Sequence, residues 1–475
     1  MNLFKRLFAD TAVYGLGSIV PRLFNFFLVP LHTRVFGPEA YGDITDAYGW
    51  MAILNVVFLF GMETAYLRFA SKPGHQEEDV FRIGQTVVVS LSVLISGLLL
   101  LTWSTDALSV TFGGPRLLLY ASLTLVIDAV CALPFARLRL QNRSKEFALA
   151  KILNVVVLMA LNIWFLTFDE PMTENVFLAN LIANALYLLF FFRVLLRWRP
   201  KWHPAVSPAM FSYAWPIMLT GLAGMTNEMF SRISIDNWLP EGFYDGKSSD
   251  HIQGIFGACY KFAMLMSLVV QAFRMAAEPF FFTHADKKDS PALFARVNHL
   301  FTLVSSFFLA AICLNMNWLR YFIDEAYWSG LVIVPLLLAG YAYLGIYYNI
   351  SVWFKVTDRT GFGTMITAFG AILTITLNFV FIPLLGILGS ALVTFICYFS
   401  MTMICYFLGR IFYPVPYTMV KDTGLVALGF GIAAAAMWWN PLEGSTAVAV
   451  GLAATLTLAW GAWKLAERDF RNAIP

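Results

Sequence analysis

Five polar residues near the start of the chain, Thr11, Tyr14, Ser18, Arg22 and Asn25, follow one another at spacings of 3, 4, 4 and 3. That spacing stacks them on one face of an α-helix. The rest of the 11–31 stretch is apolar and long enough to cross a bilayer. Arg22 sits near its middle, where a guanidinium costs at least ~2.5–3.5 kcal/mol. Such a group persists where it meets water, an anionic ligand or an acidic partner. Two readings stay open: Arg22 lines a cationic cavity, or it forms an ion pair with a helix-borne acid such as Asp128. Pro21 and Pro30 bracket the arginine, and each predicts a bend by removing a backbone donor and crowding the preceding turn.

Two further stretches carry chemistry. One contains Lys261, Gln271 and Arg274. Arg274 is the better ligand for an anion, and an i,i+4 pair with Glu278, just before Pro279, competes with that role. The other opens at Pro216 and places Thr220, Gly224, Asn227 and Ser231 at spacings of 4, 3 and 4. Glu228 is the acid at its core. With Asn378 and Thr394 it offers oxygen ligands to a coupling ion, Na+ or H+; the alternative is a membrane-buried pair with Lys261. No other cofactor and no metal centre is expected.

The elements that must position these residues follow from composition. Of 475 residues, 59% are hydrophobic and 13% charged, about half the charge density of a soluble domain. A water-soluble enzyme and a disordered chain are both excluded. Apolar windows of spanning length fall at 11–31, 47–69, 84–103, 116–136, 147–168, 176–196, 209–231, 252–273, 299–318, 331–354, 363–382, 386–408, 420–439 and 447–465. The expected fold is an all-α polytopic membrane protein of about 14 helices, with no room for a soluble domain. If the amino terminus faces the cytoplasm, 24 of the 32 Lys and Arg residues fall on inner segments and 5 on outer ones, among them Arg34 and Arg232 at the outer rim. This bias places both ends in the cytoplasm. A net charge of +3 gives no reason to expect a nucleic-acid partner.

A faint internal repeat divides the chain. Gly42–Tyr48 is echoed by Gly254–Tyr260, and Leu161-Asn162 by Leu377-Asn378, at offsets of 212 and 216. It suggests two six-helix lobes, 1–200 and 201–410, followed by two accessory helices in 411–475. The five cysteines lie in apolar segments and read as small hydrophobes. Gly429-Phe-Gly-Ile-Ala-Ala434 matches a dinucleotide fingerprint but has no strand before it, so it reads as a close-packing helix surface. No Walker A motif occurs.

In order and spacing, several motifs resemble those of the oligosaccharide flippases, the Wzx-type polysaccharide transporters of the multidrug/oligosaccharidyl-lipid/polysaccharide superfamily. They are Gly17-Ser-Ile-Val-Pro-Arg22, Pro30-Leu-His-Thr-Arg34, Phe36-Gly-Pro-Glu-Ala-Tyr-Gly42, Tyr260–Ser267 running on to Gln271-Ala-Phe-Arg274 and Glu278-Pro-Phe-Phe281, Tyr347–Trp353, and Asn378–Pro383 with Gly386 and Gly389. The likeness covers nearly the whole chain. It implies two lobes around a cationic cavity and alternating access that carries an undecaprenyl-pyrophosphate-linked oligosaccharide to the outer leaflet of a bacterial cytoplasmic membrane. Arg22 and Arg274 would meet the pyrophosphate, with Ser18, Asn25 and Gln271 beside them. The lipid tail would stay in the bilayer, and polysaccharide assembly proteins would be the partners. Ser231-Arg232 departs from the Asp-Arg of many relatives, which puts an acid-dependent gate there in doubt.

The alternatives come from other classes. A cation-coupled multidrug exporter of the same superfamily calls for acidic, aromatic walls, unlike the basic set found here. A membrane glycosyltransferase or polymerase calls for a large outer loop or an acidic catalytic motif, and neither is seen.

Overall fold

The computed structural model describes residues 19–101, 114–285, 289–438 and 444–471. The regular elements in them are helical, and no strand occurs among the described residues. Twelve of these helices are long and apolar enough to cross a membrane. They coincide with the second to sixth and eighth to fourteenth expected spans. The remaining two are the ones with polar stripes. Helix is continuous over residues 19–27 of the first span, and Thr11, Tyr14 and Ser18 lie outside the described residues. The seventh is the 33-residue helix Val206–Trp238; it has the length, but its polar residues lower its mean hydropathy below that of the twelve. The chain is a polytopic all-α membrane protein.

Two compact units meet at Ile233/Ser234, inside the Val206–Trp238 helix. For most of its length this helix packs within the first unit. The reason is visible at Gly61, whose φ of 69° continues a left-handed break begun by Phe60. A Cβ on Gly61 would lie 2.5 Å from the Ala214 carbonyl oxygen, so only glycine lets the two helices approach this closely. The break divides the second span into Pro38–Leu59 and Met62–Ala70.

The hub of the first unit is Pro115–Leu140, which packs on Pro38–Leu59, Glu77–Leu101 and Thr173–Phe190. A cluster of Ile127, Cys131, Phe135, Leu138, Phe147, Ala150, Tyr187 and Phe191 fixes it to Ser144–Phe168 and the end of Thr173–Phe190. In the second unit Val334–Ile350 is the hub, packed on Ser249–His284, Ser290–Leu314 and Ile387–Phe412. Its Tyr341 hydroxyl pairs with that of Tyr260. The helices Met419–Trp438 and Gly444–Arg471 belong to this unit and pack on Ser290–Leu314. Gly429 makes that contact close: a Cβ there would fall 2.7 Å from the Ser306 carbonyl oxygen, whereas Gly431 meets nothing within 4 Å. Near the start of Met419–Trp438 the buried Asp422 accepts from Asn298 Nδ2 at 3.0 Å and pairs with His299 Nδ1 at 2.5 Å. All five cysteines are buried, and none is in a disulfide.

The repeat is written into the backbone as well. Asn142 has a φ of 55° and Asp358, 216 positions later, a φ of 56°. Around them the Arg143 N–H donates to the Leu138 carbonyl at 2.9 Å and the Arg359 N–H to the Phe354 carbonyl at 2.8 Å. The same turn therefore links Pro115–Leu140 to Ser144–Phe168 in one unit and Val352–Val356 to Gly361–Leu385 in the other.

Candidate functional site

Arg22 lies on the 19–27 helix with an exposed side chain, and Asn25, one turn on, is exposed as well. Among the described residues Arg22 has no hydrogen bond or ion pair. Asp128, its conceivable partner, instead accepts from Asn184 Nδ2 at 2.8 Å, and Asn184 Oδ1 accepts from Asn154 at 2.8 Å. The helix stops at Leu28 and restarts as Val29–Val35 with Pro30 in its first turn, a break of the kind that Pro30 predicted. Beyond it His32 Nε2 and Asn162 Oδ1 are joined at 2.8 Å, which anchors the restarted helix to Ser144–Phe168. Arg34 is exposed near the end of Val29–Val35.

In the second unit, Arg274 and Gln271 lie one turn apart on Ser249–His284, Gln271 half-buried and Arg274 exposed. Arg274 Nε is 3.6 Å from Glu278 Oε2, an ion-pair contact too long for a hydrogen bond. Its guanidinium carbon lies 4.7 Å from the centre of the Tyr348 ring, a cation–π arrangement. The other Glu278 oxygen, Oε1, accepts from Lys355 Nζ. The expected Arg274–Glu278 pair is present, then, but as part of a triad of two cations and one anion. The three side chains, with Ala277, Phe281, Tyr348, Asn349 and Val352, line a recess of about 10 Å³, room for roughly one water.

Lys355 was missed as a site residue because it closes the tenth span 77 residues beyond Glu278 in the chain. The repeat offset held the clue. Glu63 and Arg139 of the first unit form an ion pair, and adding 215 and 216 to their numbers gives Glu278 and Lys355.

The residues grouped for a coupling ion fall in both units. Glu228 is half-buried in the first, while Asn378 and Thr394 are buried in the second. Asn378 Nδ2 donates to the Thr374 carbonyl at 2.8 Å and Thr394 Oγ1 to the Ser390 carbonyl at 3.2 Å. Arg232 is buried, 9% exposed.

The family described as polysaccharide biosynthesis protein matches residues 7–284, more than half the chain. The chain belongs to that family. The family resemblance read from its motifs is thereby sustained. A relative from Haemophilus influenzae, a protein of the Lsg locus, is 20% identical over 421 residues, covering 83% of this chain and 98% of its own length. Among solved structures, the lipid II flippase MurJ in an inward closed conformation has a TM-score of 0.75 at 14% identity, with 97% of this chain and 99% of that one covered. An inward-facing MATE multidrug resistance transporter has a TM-score of 0.63 at 13% identity, with 90% and 99% covered. At these identities the shared feature is the fold. This member of the polysaccharide biosynthesis family thus has the helical architecture of flippases and MATE transporters, and Arg22, Arg274 and Lys355 lie on its first, eighth and tenth helices.

Proposed function

We propose that this protein moves a lipid-linked oligosaccharide, carried on undecaprenyl pyrophosphate, from the inner to the outer leaflet of the bacterial cytoplasmic membrane, as a transporter and not an enzyme. The observation that carries this reading is surplus positive charge on the helices that bear Arg22, Arg274 and Lys355. Arg22 has no counter-ion among the described residues, and Arg274 and Lys355 share one carboxylate. Cations kept in that setting call for an anionic ligand, and a pyrophosphate suits guanidinium forks and an ammonium together. Family membership supports a role in surface polysaccharide assembly, and the MurJ-like fold supports alternating access as the means. The Lys and Arg bias supports a cytoplasmic position for both termini. Drug export on the MATE pattern is disfavoured by the same surplus, which repels cationic drugs. Coupling to Na+ or H+ through Glu228, Asn378 and Thr394 belongs to the same proposal.

Arg22→Ala tests it. In a strain lacking the chromosomal copy, surface polysaccharide should fall at least tenfold with the protein at normal abundance in the membrane. Full export with Arg22→Ala and with Arg274→Ala would overturn the reading, and a change in drug susceptibility without a change in polysaccharide would favour drug export.

A further inference from the structure

The two acid–base pairs related by the internal repeat differ in one position. In the first unit Glu63 meets Arg139, from Pro115–Leu140; the position 215 before Arg274 is Leu59. One carboxylate and one cation suffice there to tie the second span to the fourth. In the second unit the corresponding carboxylate, Glu278, already has Lys355. Arg274 is therefore beyond what the tie requires, and it is poorly used: its Nε makes only the 3.6 Å contact, and its Nη donors have no hydrogen-bond partner among the described residues. A guanidinium has five N–H donors in a planar fork. Here the fork is pre-oriented by the Tyr348 ring with its donors unspent. Glu278 keeps an oxygen toward each cation, and the recess they enclose is too small for any phosphate.

We propose that Arg274 and Lys355 together form a pyrophosphate-binding pair and that Glu278 is a built-in competing anion, which occupies the pair when no ligand is bound and swings away when one arrives. This rests on the function proposed above and adds to it a second cation, Lys355, and a reason for the acid. The carboxylate serves two ends. It limits the cost of holding two cations close together on membrane helices, and its displacement by a multiply charged headgroup links ligand entry to the contact between the eighth and tenth helices. A ligand that breaks the Glu278–Lys355 tie while bridging Arg274 to Lys355 exchanges one helix-to-helix link for another of different length. A weaker anion leaves the carboxylate in place, so the acid also discriminates by charge.

The test uses the purified full-length protein in detergent with two probes, inorganic pyrophosphate and farnesyl pyrophosphate, read by titration calorimetry and by the ligand-induced shift of Tm. Glu278→Gln should bind both probes about tenfold more tightly than the unmodified chain and show the larger Tm rise on adding them. Lys355→Ala and Arg274→Ala should weaken binding about tenfold or more, with Lys355→Arg within a few-fold of the original. Glu63→Gln, in the pair without a surplus cation, should leave binding of both probes unchanged. Equal or weaker binding by Glu278→Gln, or undiminished binding by Lys355→Ala, would overturn the proposal. If the variants order inorganic pyrophosphate as described but farnesyl pyrophosphate does not bind, the anion site stands and the lipid-linked substrate falls. If farnesyl pyrophosphate binds and none of these variants changes its affinity, the site falls while the substrate class stands.

Discussion

The charged ends of the two units solve the same problem with different balances. Among the described residues of the first, five acids meet five bases, Glu146 and Arg143 among them at 2.5 Å. Glu77 and Glu78 hold Arg137 at 2.9 and 2.8 Å, Glu78 also holds Arg82 at 3.1 Å, Asp79 holds Lys201 at 2.6 Å, and Glu63 holds Arg139. Tyr66 adds a hydrogen bond to Glu77 at 2.8 Å. In the second, Glu278 faces Arg274 and Lys355. The pairs Glu63–Arg139 and Glu278–Lys355 occupy matching positions of the repeat, so they are two versions of one device. The balanced version has its charges satisfied by the protein and reads as scaffold. The unbalanced one has a cation beyond the tie between helices, and that excess is what the proposed binding site has and the brace lacks.

The largest effect expected from this contrast comes from converting the second version into the first. Arg274→Leu places in the second unit the residue type that Leu59 supplies in the first. The product should reach the membrane at normal abundance, since the Glu278–Lys355 tie remains, and Tm should change little. Export of polysaccharide should fall tenfold or more. A loss of folded protein in proportion to the loss of export would mean that Arg274 is structural and that the contrast has no functional content.

A middle-sized effect is expected from breaking the brace. The side chains of Arg139 and Glu63 are 35% and 33% exposed, and Arg139 Nε is buried without a hydrogen-bond partner. Glu63→Gln leaves that guanidinium without its carboxylate. A fully buried broken pair costs about 3–5 kcal/mol and an exposed one under about 1, so this one should cost about 1–2 kcal/mol. A chemical or thermal melt of the purified protein measures it. Added pyrophosphate should not restore the loss, whereas it should stabilise Glu278→Gln. Rescue of Glu63→Gln by pyrophosphate would show that both versions bind anions.

What the sequence made legible follows the range of each interaction. The spans were readable because some 20 consecutive apolar residues leave the chain no other place to go, and the stop at Leu28 was readable because Pro30 removes a donor locally. The role of Gly429 was readable for the same reason: small residues on an apolar helix imply close neighbours. Pairs between distant residues were not. Nothing near Glu278 points to Lys355, and nothing near Asp422 points to Asn298 and His299, over 120 positions earlier. Only the packing of whole helices brings these groups together. The repeat is the exception, since it carries distant information in local form. With Asn378 lying 216 positions after Asn162, Arg139 points to Lys355, and Glu63 falls one position from register with Glu278. Both asparagines are buried and donate to the carbonyl four residues back, at 2.8 Å in each case.

The smallest effect concerns the part of the repeat where the units should not differ. Asn142 and Asp358 hold left-handed backbone at φ of 55° and 56°, each just before an Arg whose N–H closes the turn on a carbonyl five residues back. An ordinary L-residue pays roughly 1–2 kcal/mol for that conformation, and Asn and Asp tolerate it because their short side chains bond locally. Asn142→Ala and Asp358→Ala should each cost about 1 kcal/mol, which for units of this size is a fall in Tm of about 2–4 °C. The two falls should be equal, and neither variant should change export once abundance is taken into account. This outcome would confine the functional difference between the units to the side chains of the charged triad. Unequal falls would mean that the turns are not copies in energy although they are copies in geometry. A loss of export confined to Asp358→Ala would carry the site beyond the triad, because Asp358 lies three residues after Lys355 and its turn sets where that lysine's helix ends.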